Sequence, residues 1–144
     1  MADESIRITQ PMLMEIRASV LDEIDPQIRW SVGFAPELDD DGGRFVIANL
    51  RAAGPHGSVE VELAATQRGG GSAAVLDGEG AERFAEKLAA AEALQTLYEI
   101  ARITAKGLLG TIDADHDLPL VSPPPEITQL VKSTEARREV GDAE

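Results

Sequence analysis

Asp113, Asp115, His116 and Asp117 form the most ligand-like cluster in the chain. Carboxylate oxygens at alternating positions can hold a hard cation. The spacing misses the calcium-loop pattern, because the mid-loop glycine and the distal glutamate are both absent. A solvated loop is the favoured reading and a metal site the weaker one. His56 lies between Pro55 and Gly57 with no nucleophile near it in sequence, so it reads as an exposed turn residue rather than a general base. Gly69-Gly70-Gly71-Ser72 shares only its glycine content with a phosphate loop, since no Gly-Lys-Ser/Thr follows. No Gly-x-Ser-x-Gly elbow and no His-Glu-x-x-His helix occurs. With 26 Asp and Glu residues, adjacent acids carry little information. Neither an enzyme nor a cofactor is expected.

Composition points the same way. At 144 residues the chain is one domain's worth of sequence, and its net charge is −13. Such a field repels nucleic-acid phosphates and anionic membrane surfaces, and suits a basic or unfolded polypeptide partner. Solubility alone explains the acidity about as well. Aromatic residues make up only 3%, so the core must be largely aliphatic. Oligomerisation is one way to supplement so light a core. Without cysteine the chain has no disulfides and no thiolate chemistry. Met1-Ala2-Asp3-Glu4-Ser5 is acidic and lacks an apolar run, so no secretory signal is expected there. No stretch approaches the roughly 18 apolar residues of a membrane span, and a cytoplasmic protein is expected.

Residues 1–10 are expected to be a flexible N-terminus. Between Met12 and Ile24 two patterns compete. Leu13, Ile16, Val20 and Ile24 fall at helical spacing, whereas Met14, Ile16, Ala18 and Val20 alternate as in a strand. After Pro26 the alternation is plain. Ile28, Trp30, Val32 and Phe34 form one strand face; Val46, Ala48 and Leu50 oppose Phe45, Ile47 and Asn49; Val59, Val61 and Leu63 oppose Glu60 and Glu62. Asp39–Gly43 and Gly54–Gly57 are turns between them. Gly69–Gly71 reads as a bend before Ala73–Leu76 resumes a strand. Beyond Gly80 the period becomes helical. Phe84, Leu88, Ala91, Leu94, Tyr98, Ala101, Ala105 and Leu108 form one stripe, and Leu97, Ile100, Ile103 and Leu109 add a second apolar side up to a stop near Gly110. Two apolar sides imply cover by the sheet and by something else. Leu118–Val121 leads into the extended Ser122–Pro125, and Glu126–Val140 is expected to form a last helix.

Particular residues resemble the bacterial export chaperone SecB and its wider family. Leu97-Tyr98-Glu99-Ile100-Ala101-Arg102 is similar to that family's Leu-Phe-Pro-Tyr-Ala-Arg run. Leu118-Pro119-Leu120-Val121-Ser122-Pro123-Pro124 resembles its Phe/Leu-Pro-x-Leu…Pro stretch, and Val59–Leu63 resembles a strand with an exposed glutamate. The likeness covers roughly residues 14–131. It implies an α+β fold: a four-stranded antiparallel sheet with a long helix and a C-terminal helix packed on one face. The domain would span residues 11–131, with 132–144 as a charged helix end and tail. It also favours an edge strand over residues 12–24. Departures are visible. Glu99 and Ile100 replace the family's Pro and Tyr, the link around residues 25–30 is short, and aromatics are few.

The resemblance implies an ATP-independent chaperone that holds unfolded polypeptides for export or protects an antitoxin. Leu97, Ile100, Ile103 and Leu108 would then form the interface of a homodimer or homotetramer. Trp30, Phe34 and Tyr98 would line the client groove. Glu62, with Glu60 beside it, would meet the Sec motor ATPase, although Glu60 stands where the family has an apolar residue. A plain solvated strand face explains both glutamates as well. The alternative is a non-chaperone assembly module, on the same scaffold, that serves one folded partner.

Overall fold

Alternation at period two builds most of the sheet. A computed structural model describes residues 5–20, 27–54, 57–70, 75–111 and 118–130. In chain order they form β1 (Arg7–Ser19), β2 (Gln27–Leu38), β3 (Arg44–Gly54), β4 (Gly57–Arg68), α1 (Gly78–Ala90), α2 (Glu92–Thr111) and β5 (Glu126–Gln129). The strands lie in the order β1-β4-β3-β2-β5, all antiparallel except β5, which runs parallel to β2. The α+β class stands, but the sheet is five-stranded and mixed rather than four-stranded and antiparallel.

β1 resolves the competing patterns as a strand. Leu13 stands opposite Leu63, Ile16 opposite Val61 and Ala18 opposite Val59, so all three face the helices. The register skips Met14, and this bulge puts Leu13 and Ile16, three residues apart, on one face. The apparent helical spacing is the trace of that bulge. A second irregularity lies between Thr9 and Met12, where Gln10 adopts a φ of +53°.

The N-terminus is less free than its composition suggests. Gly69 and Gly70 have φ of +77° and +81°. A side chain on Gly69 would strike the Ser5 carbonyl oxygen, and one on Gly70 would come within 2.7 Å of Ile6. These glycines let Ser5 and Ile6 pack closely, so β1 begins at Arg7, inside the stretch expected to be loose. The Asp39–Gly43 turn forms as anticipated, with Gly42 at φ +85°. The Gly43 N–H donates to the Asp41 carboxylate at 3.1 Å, and Arg68 bonds it at 2.8 Å. Both hold the Asp41 carboxyl below its usual range, the Gly43 bond first. Pro55 and His56 lie outside the described residues.

The helical region differs from a single rod. Ala91 takes an extended conformation (φ −74°, ψ 133°) and separates α1 from α2. The two helices then cover different parts of one sheet face. Phe84 of α1 meets Phe34 edge-on at 4.9 Å, while Tyr98 of α2 meets Trp30 at 5.4 Å and 74°. Arg44, fully buried, lies 5.2 Å from the Phe84 ring centre and donates to the Ala35 carbonyl at 2.8 Å.

One flank of α2 grips the extended segment after it. The Tyr98 hydroxyl donates to the Pro119 carbonyl at 2.7 Å, Gln95 to Leu120 at 3.0 Å and Arg102 to Leu118 at 3.3 Å. Residues 95, 98 and 102 share this flank because helical neighbours recur every three or four positions. Burial raises the Tyr98 phenol's pKa, keeping it a donor. The strap then delivers residues 126–129 to β2 as a strand, not the first turn of a helix. Leaving Pro123–Pro125 the chain is extended, and the free edge of β2 offers partners: Ser31 pairs with Glu126 and Phe34 with Gln129. An Arg29–Glu126 ion pair of 2.6 Å reinforces the register. The remainder of the expected last helix lies outside the described residues. Toward Gly71–Ala74, also outside them, only an isolated bridge between Glu37 and Val75 continues the expected strand.

Tyr98→Phe is expected to lower stability by about 0.5–1.5 kcal/mol through the lost hydroxyl bond. Tyr98→Ala, which also empties the core beside Trp30, should cost about 3–5 kcal/mol. Urea denaturation of the two variants separates the contributions.

Candidate functional site

The two edges of the sheet are treated differently. β2 is covered by β5, which at four residues forms a short edge, whereas the edge strand β1 is long and among the described residues pairs only with β4. Along thirteen residues of strand, alternate backbone N–H and C=O groups therefore face the open side. Pro11 and the two bulges interrupt this edge, as edge strands commonly require. Its helix-facing side chains are apolar, whereas its outer face mixes Met12 with Glu15 and Arg17. Leu13 and Ile16 face the helix layer, Ile16 at 40% exposure; Met12, on the opposite face, is 59% exposed and Met14 53%.

α2 contributes the neighbouring surface. Ala93, Thr96, Ile100, Ile103, Thr104 and Gly107 recur at helical spacing on one flank and carry no charge. Ala93 and Thr96 border a cleft with Ile6 and Ile8, which puts this flank on the β1 side of the helix. Ile103 is 67% exposed, while Ile100 is half-buried against the core. Together, β1 and this flank form an open apolar side next to an unpaired strand.

The residues singled out from sequence do not all meet there. Leu97 is buried in the core of the chain itself, and Leu108 packs partly against it. Of the expected interface set, only Ile100 and Ile103 reach the open flank. Trp30, Phe34 and Tyr98 are all buried, so they do not line a groove. Scarcity explains the correction: a chain with three Phe, one Trp and one Tyr puts its large rings where burial gains most. Phe45 is the exception, on the outer face beside Met12 and Ala64 in a cleft of about 480 Å³.

Glu60 and Glu62 lie on the outer face of β4, away from the helices. Glu60 stands opposite Arg17 of β1 and Arg51 of β3 and accepts a bond from Asn49 at 3.2 Å. Glu62 stands opposite Glu15 and Asn49. Arg17 bonds Glu15 at 2.6 Å, and that bond is the main reason its pKa is raised. The glutamates thus belong to a band of mixed charge rather than a purely acidic patch. The Asp113–Asp117 loop lies outside the described residues, among which no group of three or more His, Cys, Asp or Glu is placed to hold a metal. No described helix is long and apolar enough to cross a membrane.

Sequence reasoning missed the open strip on β1. The signal was present in Leu13, Met14 and Ile16, but the conflict between strand and helix obscured it.

No family model and no curated protein matches the chain. Among solved structures it is similar to the SecB-like chaperone Rv1957 of Mycobacterium tuberculosis, in complex with a ChAD peptide from the Rv1956 HigA1 antitoxin. The likeness covers 82% of this chain and 88% of that one, at 17% identity and a TM-score of 0.53. At that identity it establishes a SecB-like fold.

If the helix-facing side of β1 is open, Ile16→Lys should change stability by no more than about 1 kcal/mol. Val61→Lys, directly across the ladder and fully buried, should cost about 3–5 kcal/mol by burying an unpaired charge. Equal costs in chemical denaturation would show that β1 is covered.

Proposed function

We propose that this chain is a SecB-like chaperone that binds unfolded polypeptides without nucleotide. The carrying observation is the apolar, unpaired edge of β1, held open beside the uncharged flank of α2. An extended client can add to such an edge through main-chain hydrogen bonds, with its side chains against Leu13, Met14 and Ile16. Backbone recognition of this kind depends little on client sequence. No catalytic group or cofactor enters the reading, and a cytoplasmic setting suits it.

The antitoxin role is the more specific form of the proposal, supported by the peptide held by the structural neighbour. Export with hand-over to the Sec motor would use Glu60 and Glu62, and the arginines facing Glu60 weaken that surface for a basic partner. Self-association belongs to the same reading. Ile100 and Ile103, set among small neutral residues, suit helix packing against a second copy and leave the β1 edge to clients. One observation favours the alternative of an assembly module with a single folded partner: the burial of Trp30, Phe34 and Tyr98 removes the aromatic groove. A pull-down returning one stoichiometric folded protein would favour that module.

The purified chain should suppress aggregation of a chemically unfolded model enzyme at near-stoichiometric ratio without nucleotide. A Met14→Lys, Ile16→Lys double variant should lose most of this effect while remaining folded. In the same preparation the native mass should exceed the 15.3 kDa of one chain, and Ile103→Asp should return it to that value. Unchanged aggregation at large excess of protein refutes the chaperone reading, and a strict monomer refutes the self-association.

A further inference from the structure

We draw no further inference here: the strongest candidate, the apolar cleft on the outer face of the sheet between Pro11, Met12, Phe45 and Thr66, is an unpartnered face, and nothing in the structure shows what covers it.

Discussion

Tyr98 ties three parts of the molecule together, and the shape of the open surface depends on it. Its ring packs edge-on against Trp30 in the sheet, its backbone lies in α2, and its hydroxyl holds the Pro119 carbonyl of the strap. That hydroxyl bond, with its neighbours from Gln95 and Arg102, sets the path of residues 118–122 across the helix. The path ends beside β2, where residues 126–129 pair as a fifth strand. β2 is thereby covered by a four-residue segment of the chain itself, which becomes that edge of the sheet, while the thirteen-residue β1 forms the other. The asymmetry is a packing consequence rather than a property of either strand alone.

Much of this architecture was legible in the sequence wherever a single physical pattern dominated. Val59, Val61 and Leu63 against Glu60 and Glu62 could only be a strand with one dry face, and Leu94, Tyr98, Ala101 and Ala105 mark the buried side of α2 as the helical period required. The pattern failed where geometry broke its own periodicity. A bulge at Met14 gave β1 a partly helical signature, and the break at Ala91 falls within an alanine-rich run without Pro or Gly. β5 was hidden for another reason: Glu126-Ile127-Thr128-Gln129 has one apolar residue, and it becomes a strand because the edge of β2 is there to receive it.

The candidate site was less legible than the fold. The resemblance implied a groove lined by Trp30, Phe34 and Tyr98, yet a core built from few large rings retains them. Leu97 likewise lies too close to the centre of the helix's sheet-facing stripe to reach a second subunit. What remains for recognition is aliphatic and thioether surface along an unpaired backbone, chemistry suited to extended chains of varied sequence. The outer face, with Glu60 between two arginines and Glu62 across from Glu15, is a separate electrostatic surface.

Hydrogen exchange on the β1 amides, with and without an unfolded client, tests the central claim most directly. Amides that point to the open side of residues 7–19 should exchange fast in the free protein and slow markedly on client binding, while those bonded to β4 stay protected in both states. Client binding that leaves the open-edge amides unchanged, or that protects only the outer face of β4, would contradict the account.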